Sequence, residues 1–473
     1  MNVLAVDAGT TAVKAATTDS AGGVQRVVRA AVDRGTGPGI DPEHYWRTVA
    51  RAIAQVADSS APVDAVTVTG QGDGLWTLGK SGAPAGPALE WNSTLAGEVV
   101  AQWERDGTIA RHYARSATVL WPGTAAALWR WTRQHRPQTA AETQNVFCAK
   151  DWINHRLCGA IATDITDATI PFLDIFSGCY DEQAFSSLGC EDLAAAMAPI
   201  VPAGTQIGVV TEQAAAETSL AEGTPVLMGA IDVVAMTRGA GVSEPGQAVA
   251  VLGTTAAAMA VTDSLDTGGE PVGATLRIDP DEQRFLRVMG ASSGTSTLDW
   301  FLSRFYSSPD SAHDSFWDDV QAAQPGVVML PYLAGERAPF LAPQATGTFI
   351  GVTSRTNRAE LARSVALGIT FSLRHCVEHA VGKEPETVVL TGGGTTSATW
   401  CQLVADVIGA AVVVDDRPHT ACAGAAAIAA GRSPSAPTER PRFEPRRDYG
   451  ADFQEFVDIT HALRPIWKEM NRQ

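Results

Sequence analysis

Residues 3–19 read VLAVDAGTTAVKAATTD, and residues 249–263 read VAVLGTTAAAMAVTD. The two Gly-Thr-Thr triplets, at 9–11 and 253–255, are 244 positions apart, and so are the Thr-Asp pairs that end the segments. Each segment is a β-rich run, a turn and a second β-rich run, which predicts a β-hairpin whose tip presents backbone N–H groups and hydroxyls. The repeat predicts a duplicated domain. Chance similarity in a chain rich in Ala, Thr and Val is the alternative.

Strand and helix patterns alternate between and after the two hairpins. VDAVTVTG (63–70) and ETVVLTGGG (386–394) each indicate a buried strand that ends in glycine, and SATWCQLVADVI (397–408) has the periodicity of an amphipathic helix. Such alternation is typical of α/β domains. We therefore predict an α/β fold of two similar domains, residues 1–243 and 244–473.

Composition narrows the class of protein. The 473 residues include 35 Lys and Arg against 52 Asp and Glu, a net charge of −17, which argues against nucleic acid or an anionic membrane as partner. Hydrophobic residues make up 45%, as in packed globular proteins. The seven cysteines are scattered without a C-x-x-C pair, which indicates reduced thiols. Since no apolar run reaches the ~18–20 residues of a membrane span and no leader pattern follows Met1, we expect a cytoplasmic protein.

The first hairpin tip combines a carboxylate, a glycine turn and a cation. Asp7 can hold Mg²⁺ through water, the turn amides with Thr10 and Thr11 can bind phosphoryl oxygens, and Lys14 can offset their charge. A single motif of this kind is more often a polar β-turn with a solvated lysine. The second copy at 253–255 favours a phosphate site. The chain has neither the P-loop pattern nor a Rossmann glycine pattern after a strand.

A second carboxylate lies close to the predicted domain boundary. Asp232 follows the apolar strand 225–228, at a strand-to-helix junction that we expect to face the cleft between the domains. A carboxylate there can accept the proton of an alcohol that attacks phosphorus, and we predict that Asp232 is the general base. The alternative for an aspartate at such a junction is a helix N-cap.

The loop VTGQGDGLW (68–76) suits a small polar ligand. Gln71 and Asp73 can bind vicinal hydroxyls, and the indoles of Trp76 and Trp91 can cover the C–H surface of a sugar. The alternative is a glycine-rich turn with Trp76 packed inward.

Six motifs in order resemble the FGGY family of carbohydrate kinases, and the resemblance covers nearly the whole chain. These motifs are DAGTTAVKA (7–15), CAKDWINHRLCGAIATDITDAT (148–169), GAIDVVAMTRGAG (229–241), LGTTAA (252–257), LPYLAGERAP (330–339) and LTGGGTTSATWCQLVADVIGAAV (390–412). GQGDGLW and FCAKDWINHRLCG are most similar to the erythritol kinase branch, and VLWPGTAAALWRW (119–131) is similar to L-xylulose kinases. The chain is thus similar to the erythritol kinase, L-xylulose kinase and xylulokinase branches of the family.

The resemblance implies two actin-like (ribonuclease H-like) domains with the active site in the cleft between them. It also implies ATP and Mg²⁺, with Asp7 and Asp232 flanking the magnesium and the reacting centre and Asp73 at a position that contacts substrate hydroxyls. The implied ATP-binding residues are Thr10, Thr11, Lys14, Gly253, Thr254, Gly393 and Gly394, the last two beside adenine.

One departure bears on the substrate. The family's W-x-D-x-R motif appears here as WNSTL (91–95), without its acid and its arginine, which argues against a charged or aldonate-like substrate. We therefore expect ATP-dependent phosphorylation of a small neutral sugar or polyol, a ketopentose such as xylulose or a tetritol such as erythritol. The predicted substrate-binding residues are Gln71, Asp73, Trp76, Trp91 and Asp232. An actin-like ATPase switch and a catalytically degenerate sugar-binding regulator are the alternatives, and a homodimer is compatible with the sequence.

Overall fold

The structure, a computed structural model, describes residues 1–57, 62–265, 268–279, 283–307, 312–324, 326–382, 384–432 and 440–470. Its strands in chain order are β1 (Val3–Ala8), β2 (Ala12–Thr18), β3 (Val24–Ala31), β4 (Ala65–Gly70), β5 (Trp76–Gly79), β6 (Thr143–Phe147), β7 (Thr163–Asp164), β8 (Leu173–Asp174), β9 (Cys179–Tyr180), β10 (Ile200–Val201), β11 (Gln206–Val209), β12 (Pro225–Ile231), β13 (Ala248–Leu252), β14 (Ala256–Thr262), β15 (Ala274–Arg277), β16 (Phe285–Gly290), β17 (Val328–Leu330), β18 (Thr348–Ile350), β19 (Thr387–Thr391), β20 (Ala411–Val414) and β21 (Arg442–Phe443).

The helices of the same ranges follow several of these strands. They are α1 (Pro42–Ala57), α2 (Gly97–Arg105), α3 (Thr108–Ser116), α4 (Ala125–His135), α5 (Pro137–Glu142), α6 (Ala149–Cys158), α7 (Ile165–Ala168), α8 (Glu182–Leu188), α9 (Glu212–Thr218), α10 (Asp232–Gly239), α11 (Thr295–Phe305), α12 (Ala312–Ala322), α13 (Arg358–Val381), α14 (Ala398–Ile408), α15 (Thr420–Ala429) and α16 (Gly450–Met470). Within the described part of the chain, no helix combines the length and the apolar character that a membrane span requires. All seven cysteines are described, and their thiols are free.

Two mixed β-sheets with the same strand order form the frame of the molecule. The first sheet has the order β11-β12-β4-β1-β2-β3, and the second has the order β21-β20-β19-β13-β14-β16 with β15 added at the far edge. In both sheets the three central strands are parallel, β12, β4 and β1 in the first and β20, β19 and β13 in the second. This shared topology confirms the predicted α/β fold of two similar halves.

Both predicted hairpins form at the same offset, with a strand-pairing register that differs by one residue. Strand β2 starts at residue 12 and β14 starts at residue 256, which is the offset of the sequence repeat. Asp7 is paired with Lys14 across the first hairpin, whereas Val251 is paired with Ala257 at the same place in the second. Only the first hairpin therefore carries a carboxylate.

Each half has its own hydrophobic core. In the first half Tyr45, Trp46 and Trp152 pack α1 and α6 against the sheet, and a separate cluster around Trp103 and Trp129 joins helices α2 to α4. The second core is built around α13, which contributes ten buried hydrophobic residues.

Helices α10 and α15 cross between the halves. Each follows the corresponding strand of its own sheet and packs on the other sheet: α15 contacts Val3, Ala5 and Leu227 of the first, and residues that border α10 contact Val249 and Val389 of the second. The two sheets lie on either side of residue 243, yet this exchange joins them. We keep the division into 1–243 and 244–473 as a proposal.

The crossing helices touch backbone to backbone. A Cβ atom at Gly424 would lie 1.8 Å from the carbonyl oxygen of Ala235, and one at Gly239 would lie 1.9 Å from that of Thr420. These separations are far below van der Waals contact, and a carbonyl oxygen within a helix cannot move aside without breaking helix hydrogen bonds. Only glycine fits at both positions.

Arginines of the second half cap the C-terminal end of α10. Arg417 Nη2 donates to the carbonyl oxygen of Gly239 at 2.8 Å, and Arg440 Nη1 donates to that of Ala240 at 2.7 Å. The buried carboxylate of Asp415 binds both guanidinium groups, at 2.6 Å and 3.3 Å. Because the last carbonyls of a helix carry partial negative charge, this cap stabilises α10.

The tip of the second hairpin rests on a loop that Glu336 holds in place. The N–H of Thr295 donates to the carbonyl of Gly253 at 2.8 Å. Three residues earlier in the same loop, the N–H of Ser292 donates to Glu336 Oε1 at 2.6 Å, and the N–H of Arg337 donates to the same oxygen at 2.8 Å. Glu336 is only 1% exposed, and burial raises its pKa to about 7.

We expect Gly424→Ala to destabilise the protein by about 3 kcal/mol, because the added methyl group overlaps the backbone of α10. Gly97→Ala is the matched control: it lies at the start of α2, where a Cβ atom meets nothing within 4 Å. We expect the control to stay within about 0.5 kcal/mol of the parent. Urea unfolding measures both, and equal stability of the two variants would contradict the described helix contact.

The pKa of Glu336 predicts a pH-dependent stability. The folded value of about 7 exceeds the ~4.3 of an unfolded glutamate, so the folded protein binds the extra proton between these values and stability falls as pH rises through 7. Glu336→Gln lacks this loss. We therefore expect the free energy of unfolding of the variant, relative to the parent, to increase by about 2 kcal/mol from pH 5.5 to pH 8. The exposed Glu455→Gln is the control, and a gap independent of pH for Glu336→Gln would refute the prediction.

Candidate active site

The predicted site residues lie where parallel strands end. Asp7 is in β1 next to its carboxyl end, Gln71 follows β4, and Asp232 follows β12; in the second sheet Gly253 follows β13 and Gly393 follows β19. Carboxyl ends of neighbouring parallel strands share one edge of a sheet, which is where α/β proteins bind ligands. The fold thus brings the first three residues together on one sheet edge and the other two on the second.

The first hairpin tip is anchored through its carbonyl groups. The hydroxyl of Tyr45 donates to the carbonyl of Gly9 at 3.0 Å, and the backbone N–H of Val32 donates to that of Thr11 at 3.0 Å. The Thr11 residue is exposed. These contacts fix the turn from the side of the β-sheet and leave Thr11 at the surface.

Asp7 and Lys14 form an ion pair at the base of this tip. Lys14 Nζ donates to Asp7 Oδ2 at 3.2 Å, and the Asp7 residue is 7% exposed. Burial raises the pKa of Asp7, and the nearby ammonium group only partly opposes this. A buried carboxylate whose charge is only partly compensated would be stabilised by a further cation.

Thr10 connects the tip of the first hairpin with the predicted sugar loop. Its hydroxyl donates to Gln71 Oε1 at 2.9 Å and accepts from Trp91 Nε1 at 3.0 Å. Gln71 Nε2 donates to Glu90 Oε1 at 3.1 Å, and Glu90 forms an ion pair with Arg34. A residue predicted for ATP thus shares one hydrogen-bond chain with two residues predicted for the substrate.

Asp73 lies in the same loop with a left-handed backbone, φ 55°. Its Oδ1 atom is buried and has no hydrogen-bond partner within the described ranges. Burial, followed by the charges of Asp167 and Asp232, raises the pKa of Asp73 well above its usual range. A buried acceptor without a partner suits a ligand hydroxyl.

Trp76 lies elsewhere than predicted. Its side chain has no exposed surface, belongs to the core of the first half, and packs edge-on against Tyr45 with ring centroids 5.2 Å apart. The prediction that Trp76 covers a sugar is therefore wrong for this conformation: the indole supports the loop from beneath. Trp91, in contrast, is partly exposed beside Thr10.

Asp232 is the first residue of α10 and is partly exposed. The N-cap position belongs to Ile231, so the N-cap alternative does not hold for Asp232. Burial, followed by the charges of Asp7 and Asp167, raises the pKa of Asp232 to about 8. Two other carboxylates therefore lie within electrostatic range of Asp232.

A break in the ladder of β12 sets the direction of this residue. Strand β12 pairs with β4 in regular register up to Met228, and the register shifts before Ile231. A Cβ atom at Gly229 would lie 2.0 Å from the carbonyl oxygen of Val68, so this close approach requires glycine. The bulge turns the chain out of the sheet just before Asp232.

Sequence reasoning missed a buried charge cluster behind the site. Lys150 has no exposed surface, and its Nζ atom lies 2.5 Å from Asp151, 2.9 Å from Asp164 and 2.9 Å from Asp167. Burial opposes the charge of Lys150, but the three carboxylates outweigh it and raise its pKa well above the usual range. Asp151 and Asp167, with Cys148, have the spacing of a metal site, but the ammonium group already supplies the positive charge there.

The nucleotide residues predicted in the second half also meet. Gly394 is buried against the side chain of Leu252, where a Cβ atom would lie 2.5 Å from Cδ2, and Gly393 is exposed with open space around it. Gly253 and the exposed Thr254 follow Leu252 directly. An open backbone surface at Gly393 suits a flat ring. The roles of these residues stay predictions.

Helix α15 of the second half contacts the first hairpin. Cys422 Sγ donates to the carbonyl oxygen of Lys14 at 3.9 Å, and burial followed by the charge of Asp7 raises the pKa of Cys422. The pKa of His419, at the start of α15, is lowered by burial and by the charges of Arg417 and Lys14. Residues from both halves therefore border Asp7 and Lys14.

Known proteins similar to this chain share its whole length. A 484-residue alignment with a probable L-xylulose kinase of Pasteurella multocida is 28% identical and covers 98% of this chain and 99% of that protein. The erythritol kinase of Brucella abortus is 27% identical over 99% of this chain and 97% of its own length. The crystal structure of a xylulose kinase from Lactobacillus acidophilus has a TM-score of 0.90 at 21% identity and covers 99% of this chain and 100% of that one, which shows the same fold.

Two family models match nearly the whole molecule. The N-terminal domain of the FGGY family of carbohydrate kinases matches residues 2–239, and the C-terminal domain of that family matches residues 248–432. The resemblance read from the six motifs is confirmed. The chain therefore belongs to the FGGY family of carbohydrate kinases and is a carbohydrate kinase.

Proposed function

We propose that this kinase transfers the γ-phosphoryl group of ATP to a hydroxyl of a small neutral polyol or ketose, with Asp232 as the general base. The observation that carries the proposal is the position of Asp232, which follows a β-bulge at the sheet edge that also holds Asp7 and the Gln71 loop. A raised pKa makes a carboxylate a better proton acceptor once it is ionised, which suits a base that receives an alcohol proton.

Asp7 and Asp232 suit the magnesium ion that we propose for the reaction. Both offer carboxylate oxygens, the ligands that Mg²⁺ prefers, and each lies in an environment that raises its pKa. The charge of Asp7 itself contributes to the raised pKa of Asp232, so a cation between them relieves a repulsion. Bound there, Mg²⁺ supplies charge neutralisation for the phosphates of ATP.

The remaining predicted roles follow from the same arrangement. Thr11 and Lys14 in the first tip, with Gly253 and Thr254 in the second, hold the phosphates, and Gly393 and Gly394 contact adenine. We assign Thr10 to both the phosphate site and the sugar site, because its hydroxyl already forms hydrogen bonds with Gln71 and Trp91. Holding the reactants in line supplies most of the rate in phosphoryl transfer.

The charges around Asp73 favour a neutral substrate. The charges of Asp167 and Asp232 contribute to the raised pKa of Asp73, and the charge of Asp167 contributes to the raised pKa of Asp232, which indicates three acidic groups near the proposed sugar site. Hydroxyl groups can donate to such acceptors, whereas a carboxylate of an aldonate is repelled. The names of the similar kinases suggest ketopentoses and tetritols as first candidates, with xylulose and erythritol as representatives.

We expect Asp232→Asn to lower turnover by about 10²- to 10⁴-fold, the usual contribution of a general base. The measurement is ADP release with ATP and a panel of tetritols, pentitols and ketoses, with an aldonate as the charged comparison. Asp458→Asn, an exposed change of the same kind in α16, is the control. Near-normal turnover of Asp232→Asn would remove the base from the proposal. In the parent protein, ADP release without any sugar indicates an ATPase switch, and no release indicates a regulator.

We expect Asp73→Asn to raise the KM for the sugar by about 10- to 100-fold, because disrupting the partner of a buried hydrogen-bonding group costs roughly 1–3 kcal/mol. The KM for ATP should change little. Trp76→Phe is the comparison, since its side chain lies in the core: we expect lower thermal stability with an unchanged sugar KM. A higher sugar KM for Trp76→Phe together with an unchanged sugar KM for Asp73→Asn would indicate that Trp76 contacts the sugar after all.

A further inference from the structure

The peptide that precedes Asp232 has a buried partner outside its own sheet. The N–H of Ile231 donates to Thr166 Oγ1 at 2.9 Å, a contact between residues 65 positions apart. On the other side of this segment, Thr69 Oγ1 donates to the carbonyl of Ala230 at 2.6 Å. These side-chain contacts hold the chain where the register of β12 shifts.

The direction of the Thr166 hydroxyl is fixed by its second partner. Thr166 Oγ1 lies 2.6 Å from Asp164 Oδ2, and the same carboxylate oxygen accepts the N–H of Thr166 at 2.9 Å. A carboxylate only accepts, so the single hydroxyl hydrogen points to Asp164. The lone pairs of Oγ1 therefore remain for the N–H of Ile231, and the hydroxyl has one orientation.

The other oxygen of Asp164 is bound to the buried lysine. Asp164 Oδ1 lies 2.9 Å from Lys150 Nζ, and neither residue has exposed surface. Lys150 also binds Asp151, which accepts the N–H of Cys148 at the start of α6. The chain Lys150–Asp164–Thr166–Ile231 thus connects the start of α6 to the residue before Asp232, with buried contacts at every step.

We propose that Thr166 is a positioning residue for phosphoryl transfer, which sets the place of the Asp232 carboxylate through the N–H of Ile231, with Asp164 and Lys150 fixing the Thr166 hydroxyl. This inference rests on the proposed role of Asp232 as base. The physical reason is that a misplacement of a reacting group by about 1 Å can cost about 10²-fold in rate. In the absence of the Thr166 contact, the bulge leaves the Ile231 N–H without its partner, and α10 can start in more than one place.

The test is Thr166→Val, which keeps the shape of the side chain and removes the acceptor. We expect kcat to fall by about 10- to 100-fold, with the KM for sugar and for ATP changed by less than about threefold. Thr166→Ser keeps the hydroxyl and should recover most of the kcat. Thr218→Val is the matched control: Thr218 is also fully buried, and its hydroxyl donates to the carbonyl of Ala214 at 2.6 Å in α9. We expect it to lose stability with an unchanged kcat.

A double-variant cycle separates positioning from a general loss of structure. If Thr166 acts through Asp232, then Thr166→Val in the Asp232→Asn background causes no further fall in kcat. Two results would overturn the inference: the same fall in kcat in the Asp232→Asn background as in the parent, or a kcat of Thr166→Val equal to that of the parent. If Asp232→Asn alone is slow in either case, the proposed base stands. A fast Asp232→Asn variant overturns the proposed base itself, so the two failures are distinguishable.

Discussion

The contact between α10 and α15 is the constraint on which the rest of the structure depends. Each helix starts from one sheet and packs on the other, and they meet at Gly239 and Gly424, where no other residue fits. The exchange fixes the second sheet against the first through backbone rather than through long side chains. Because α10 begins with Asp232, the same contact decides where that carboxylate lies relative to both halves.

The two halves share a topology but differ in charge. The first holds Asp7 at a position where the second holds Val251, and it buries Lys150 among three carboxylates behind the Gln71 loop. One ammonium group does not balance three carboxylates, and the first half therefore concentrates acidic groups behind this loop. The second half offers glycine turns at Gly253 and Gly393 instead. The duplicated fold thus presents acidic groups on one half and glycine turns on the other.

The part of this arrangement that depends on local pattern could be predicted from the sequence. Both hairpins, their offset and the start of α10 follow from runs of β-branched residues, turns and glycines next to each other in the chain. The direction of Trp76 could not be predicted, because it depends on packing against Tyr45, and an indole beside a polar loop is compatible with either side. The contacts of Lys150 and of Thr166 with Ile231 also escaped prediction, since they join separate segments through the four-residue helix α7, which has no periodic signal.

The arginine cap of α10 has a mechanical consequence. The helix has eight residues, a length of about 12 Å at 1.5 Å per residue, with Asp232 at one end and the carbonyl bound by Arg417 at the other. A tilt of about 10° around the capped end would displace the opposite end by about 2 Å, and the hydrogen bond from the Ile231 N–H to Thr166 Oγ1 opposes such a displacement. The helix is therefore held by the second half at one end and by the first half at the other, so it resists relative rotation of the two halves.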